Sequence, residues 1–255
     1  MLWTGVVVWL LSLLPSLVHV LPPNLTLTWA DEFSDVPVLF IALVALAVCS
    51  HRAEEGGERA FWGLLAGCPA AWLLVRLLYS VIPYGDTGVL LDQVTDLSYL
   101  VGYLCVVLAL EFRPRPTGRR TAPRPRVEWL ATLLYAFFLL SYFTLAPSIF
   151  RPELYATWVP SMLLYSVIDA YLLARTWSLL RVGVDTAWTA PFRWLWAIFW
   201  LWLAGDLIEG LMYMEVIPFV DPGTPADTLW MAPSILFLVV ARSCSWEPGR
   251  RERGR

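Results

Sequence analysis

The sequence predicts an all-α integral membrane protein: eight transmembrane helices arranged as two parallel four-helix repeats. Three observations lead there. The 255 residues are 58% hydrophobic and include 15 Trp, well above the roughly 45–50% apolar content of globular chains, and the apolar runs carry little charge. The arginines cluster on alternate connections between those runs. Finally, one helix–loop–helix pattern is written twice, about 130 residues apart.

Spans are predicted at about 2–21, 36–51, 60–82, 94–111, 128–149, 159–179, 191–213 and 228–243, several of them short for a hydrocarbon core that needs about 20 residues. The first lacks a basic leading region and a small-residue cleavage site. It ends in Val18-His19-Val20-Leu21-Pro22-Pro23, so we expect a retained span and not a cleaved leader. The stretch Arg113–Arg126 is rich in Pro and Arg, without apolar periodicity. It reads as a cytoplasmic linker (113–127) between a first repeat (1–112) and a second (128–243), followed by an Arg-rich tail (244–255). Such a linker could hold anionic lipid headgroups; a plain topology signal is the simpler reading.

The connections 51–60, 111–128 and 174–193, with the stretch 242–255, hold 16 of the 18 arginines. The remaining connections hold Arg151 with Asp31, Glu32, Asp35, Asp86, Asp92, Glu153, Glu215 and Asp221. Under the positive-inside rule the arginine-rich side is cytoplasmic, and so are both termini.

The repeat is clearest in the third and fourth spans of each half. At an offset of 130, Trp202, Asp206 and Glu209 fall on Trp72, Arg76 and Tyr79. At 131, Asp227, Trp230 and Ser234 fall on Asp96, Tyr99 and Tyr103. Pro37 and Pro160 open the second span of each half, and Phe61-Trp62 and Phe192-Arg193-Trp194 open the third. An even number of spans per half gives both halves the same orientation, hence a parallel repeat.

Composition excludes several chemistries. All basic residues are Arg, so a retinal or pyridoxal Schiff base and any lysine-dependent covalent step are ruled out. The two histidines, His19 and His51, lie at opposite ends of adjacent spans, unsuited to share a haem or zinc. Cys49, Cys68, Cys105 and Cys244 are scattered singly, without a metal knuckle or redox CxxC. No hydrolase, nucleotide or dinucleotide fingerprint occurs, no cofactor is implied, and nothing points to nucleic acid.

Candidate binding residues are the charges and aromatics inside the spans. Trp72, Arg76 and Tyr79 share one helix face, as do Trp202, Asp206, Glu209 and Tyr213. If the two third helices meet, Arg76 is expected to pair with Asp206 or Glu209, because an unpaired intramembrane charge costs several kcal/mol. The pair would be either a ligand pocket open to the outer face or a structural lock between the halves. Asp96 and Asp227 are read first as helix N-caps, with Tyr99, Tyr103 and Trp230 following on the pocket face. Such aromatics also anchor helices at membrane interfaces. Asp169, four residues after Tyr165 and near mid-bilayer, is the most suspicious carboxylate; it is expected to be protonated, bonded to Tyr165, or a coupling residue.

The phrases Trp200-Leu-Trp-Leu-Ala-Gly-Asp206-Leu-Ile-Glu and Gly223-Thr-Pro-Ala-Asp227-Thr-Leu-Trp-Met-Ala-Pro233 resemble the multi-span membrane input region of bacterial signalling proteins. In that family the region precedes diguanylate cyclase/phosphodiesterase (GGDEF/EAL) or histidine-kinase modules. The first half repeats a weaker form, Asp92-Gln-Val-Thr-Asp96-Leu-Ser-Tyr99-Leu-Val-Gly-Tyr103. Pro225 stands closer to Asp227 than the family pattern has it, and the sequence stops twelve residues after Ser243 without an output module. The resemblance implies a non-enzymatic, sensor-like protein of the bacterial inner membrane, partnered by the bilayer and a cytoplasmic signalling protein. A pocket at Arg76, Asp206 and Glu209 would hold its small ligand. The alternatives are a small transporter or permease, or a structural subunit of a membrane complex, and a homodimer stays open. The apolar inner ends of the third and seventh spans, Phe61–Ala71 and Phe192–Leu201, favour a dead-end pocket over a path.

Overall fold

A computed structural model describes residues 36–81, 89–112, 134–135, 137–181, 186–218 and 228–244. The expected first span, the Arg/Pro linker, Asp227 and the tail beyond Cys244 lie outside the described residues.

The described elements are α1 (Val36–Arg52), α2 (Gly56–Val81), α3 (Val89–Phe112), a π-helical turn (Ser141–Leu145) running into α4 (Ala146–Phe150), α5 (Pro152–Tyr155), α6 (Val159–Arg181), α7 (Thr186–Tyr213) and α8 (Thr228–Arg242). No strand occurs among the described residues. Three segments, Gly56–Leu78, Gln93–Phe112 and Trp188–Tyr213, are long and apolar enough to cross a membrane. Helix suits such sequences because every backbone polar group is satisfied within its own segment. Helix-interior prolines (Pro69, Pro191, Pro233) each remove one backbone bond, a loss that neighbouring helices can make good.

Helices α2, α3 and α7 begin four or five residues earlier than the hydropathy pattern predicts. For α3 this has a consequence. The apolar run Val89-Leu-Leu carries the helix back beyond Asp92, so Asp96 stands two turns inside it and cannot be its N-cap.

Packing follows chain order within two sets. Helix α2 lies between α1 and α3, and α7 lies between α6 and α8. The sets join where α8 packs on α1 and α3 packs on α6. Six helices thereby close into a ring, with α2 and α7 facing across its middle.

Large aromatics fill that middle. Phe61 lies 5.1 Å from Trp188 and 6.0 Å from Phe192, and Trp62 stacks on Trp188 at 5.8 Å (ring centroids). Further along both helices Trp72 and Trp202 meet at 4.7 Å. Both helices advance in the same sense between these two contacts, so α2 and α7 run parallel.

Small residues let the helices within each set approach closely. A Cβ on Gly67 of α2 would stand 2.7 Å from the Cys105 Sγ of α3, the close approach that small residues permit between membrane helices. Cys49 Sγ donates to the Ala241 carbonyl at 3.4 Å where α8 meets α1. The α3–α6 contact is polar instead. Arg175 Nε and Nη2 donate to the two Glu111 carboxylate oxygens at 2.7 and 3.0 Å, a bidentate pair whose Glu111 side chain is 4% exposed.

Candidate functional site

Fifteen residues before Glu111, a second polar contact joins α3 to α6. Asp96 is 1% exposed and accepts three hydroxyl hydrogen bonds, one from α5 and two from α6. Tyr155 Oη donates to Oδ2 at 2.6 Å, Ser161 Oγ to Oδ2 at 2.7 Å and Tyr165 Oη to Oδ1 at 2.5 Å. Each donor is buried. A buried carboxylate costs free energy unless its lone pairs are taken up, and here both oxygens are engaged. The sequence could not reveal this, since the partners lie 59, 65 and 69 residues away and one of them sits in a four-residue helix.

Two turns further along α3, Tyr103 Oη donates to Asp206 Oδ2 of α7 at 3.2 Å. Beside that bond sits Asp169 of α6, fully buried. Its two oxygens have no hydrogen-bond partner, and its electrostatic neighbours are Asp206 and Tyr103. The expected bond from Tyr165 to Asp169 does not form, because Tyr165 turns its hydroxyl to Asp96. Tryptophans 72 and 202 also bury indole N–H groups without an acceptor.

A closed circuit of aromatic rings includes two of the tyrosines that bond these acids. Trp72 meets Tyr99 at 6.2 Å, Tyr99 meets Tyr165 at 6.1 Å, Tyr165 stacks on Tyr103 at 5.6 Å, and Tyr103 meets Trp202 at 5.4 Å. The Trp72–Trp202 contact completes it. Gly102 makes room, since a Cβ there would lie 3.1 Å from the Trp72 indole nitrogen.

The predicted residues therefore divide. Asp96, Tyr99, Asp169 and Asp206 gather at one level between the helix sets, and Glu209 lies one turn beyond Asp206 as an electrostatic neighbour. Arg76 is half-buried on α2, one turn past Trp72. Asp206 takes a hydrogen bond from Tyr103. The side chains of Tyr79 and Trp230 lie outside the described residues, as does Asp227. Sequence reasoning missed Tyr155, Ser161 and the Glu111–Arg175 pair. The only available signal for the pair was an acid and an arginine near the same ends of two predicted spans.

At the far rim, Trp158 adopts a left-handed backbone (φ 61°) between α5 and α6. It stacks on Tyr213 at the end of α7, 6.5 Å away. Nearby, the Arg151 guanidinium hydrogen-bonds Glu153 and holds its carboxyl below the usual range. Among the described residues no group of three or more His, Cys, Asp or Glu converges as metal ligands would. Comparison with family profiles, curated proteins and solved structures finds no match to this chain.

Proposed function

We propose that this chain is a non-enzymatic, sensor-like membrane protein that binds a small ligand in an outward-facing pocket between two helix sets and signals to a cytoplasmic partner. The architecture belonging to this reading is eight spans in two parallel repeats, in a bacterial inner membrane with both termini cytoplasmic. Its support is the meeting of residues that the repeat makes equivalent, Trp72 with Trp202 and Phe61 with Phe192. The arginine-rich connections support the orientation.

One observation carries the choice of function. The level holding Asp96, Asp169 and Asp206 is backed by the cluster Phe61, Trp62, Trp188 and Phe192. In the proposed orientation this cluster lies on the cytoplasmic side. A transporter needs polar groups continuing to the inner face, whereas four aromatic rings fill the middle there. Asp206 and Glu209, by contrast, are half-buried acids near the outer end of α7 in this orientation. The site therefore reads as a dead end that is filled and emptied from one face. Occupancy is then conveyed by helix displacement, because nothing passes through.

The test is a thermal-shift screen of the detergent-purified full chain against polar small molecules. A compound that raises the Tm of wild type, and not of Asp206→Asn or Glu209→Gln, supports the reading. Compounds that act equally on all three proteins, or flux of such a compound in proteoliposomes, overturn it.

A further inference from the structure

We propose that Asp169 and Asp206 form a proton-binding carboxyl pair at the centre of the helix ring, with Asp169 carrying the proton and Asp206 accepting its hydrogen bond. This goes beyond the sensor reading and does not depend on it. The observation is the combination of complete burial, two orphaned carboxylate oxygens and a second carboxylate as nearest electrostatic neighbour. Two negative charges cannot share such a place without compensation. Among the described residues no arginine pairs with Asp169.

The surroundings narrow what can compensate. Helix α2 presents Cys68, whose thiol neighbours both Cys105 and Asp169. Helix α3 presents Tyr103 and Cys105, and α6 itself presents Tyr165. Helix α7 presents Asp206 with Glu209 beyond it. Farther out, Asp96 is taken up by Tyr155, Ser161 and Tyr165. Arg76 lies eight residues beyond Cys68 along α2, about 12 Å of helix rise away. Arg76 apart, these groups are neutral donors or further acids. Among the described residues no third carboxylate, His or Cys completes a metal shell. A proton is the one cation that needs neither a shell nor a cavity.

The geometry also places the proton. Tyr103 engages Asp206 Oδ2, leaving Oδ1 to accept from the Asp169 hydroxyl. A single proton then satisfies one oxygen on each acid and leaves one negative charge, held by Tyr103. This is the arrangement expected when two carboxyls share a dry site.

Infrared spectroscopy of the purified full chain at neutral pH tests this directly. Wild type is expected to show a protonated-carboxyl C=O stretch that shifts in D2O, is lost in Asp169→Asn, and moves without vanishing in Asp206→Asn. Asp206→Asn keeps the proposal testable if Asp169→Asn does not fold, since the band must then move with the acceptor. Absence of the band from wild type, or its persistence unchanged in either variant, overturns the proposal. Loss of the band on adding sodium would assign the pair to a metal cation instead.

Discussion

Asp96 and Asp169, both buried, are held in opposite ways, and substitution separates them. Asp96 takes three hydroxyl hydrogens. Asp96→Asn halves its acceptor capacity and turns an amide N–H2 towards donors, so at least one buried hydroxyl loses its partner. We expect a loss of about 2–3 kcal/mol, read as a lower Tm and a lower denaturant midpoint in detergent. Asp169→Asn replaces a neutral acid by a group of the same shape and should change stability by less than about 1 kcal/mol. A large loss for Asp169→Asn with none for Asp96→Asn would reverse this account. The sequence already marked Asp169 out, because a lone carboxylate in an apolar run is visible without any partner. Asp96 was misread because an aspartate ahead of an apolar stretch has the look of a cap. Its real partners are Tyr155, Ser161 and Tyr165, and no periodicity links them to it.

Between elements, α2 approaches α3 closely where Gly67 stands against Cys105. Gly67→Ala inserts a methyl 2.7 Å from Sγ and 3.2 Å from Cβ of Cys105, which forces a short side chain or a helix to move. Overpacking of this kind costs about 1–3 kcal/mol. Adding Cys105→Ala removes the nearer atom and should restore most of the stability, as a double-mutant cycle by thermal denaturation would read; an additive cycle would show that the two helices do not meet there. The helices themselves were largely legible, since apolar runs end where Pro, Gly and charge accumulate. The beginnings of α2, α3 and α7 were not, because hydropathy falls off before helical hydrogen bonding does.

Across the whole molecule, the two helix sets are joined at one seam by polar contacts and at the other by apolar packing. Glu111 and Arg175 pin the polar seam at the end opposite Asp96. Reversing either charge leaves like charges facing each other and should cost about 3 kcal/mol, whereas Glu111→Arg combined with Arg175→Glu should recover much of it. Failure of the double reversal to recover any Tm would remove this pair from the seam. In the sequence Arg175 counted only as one more arginine on the basic side, because a pair 64 residues apart leaves no local trace. The offset of 130, by contrast, relates Trp72 to Trp202, two rings that touch across the middle. The polar seam also sets an order in time. A ribosome delivers Asp96 before any of its donors, and 59 residues separate it from Tyr155, the first of them to emerge. Until α5 and α6 arrive, the nascent α3 holds a carboxylate that hydrocarbon disfavours. Closure of this seam therefore awaits synthesis of the second helix set.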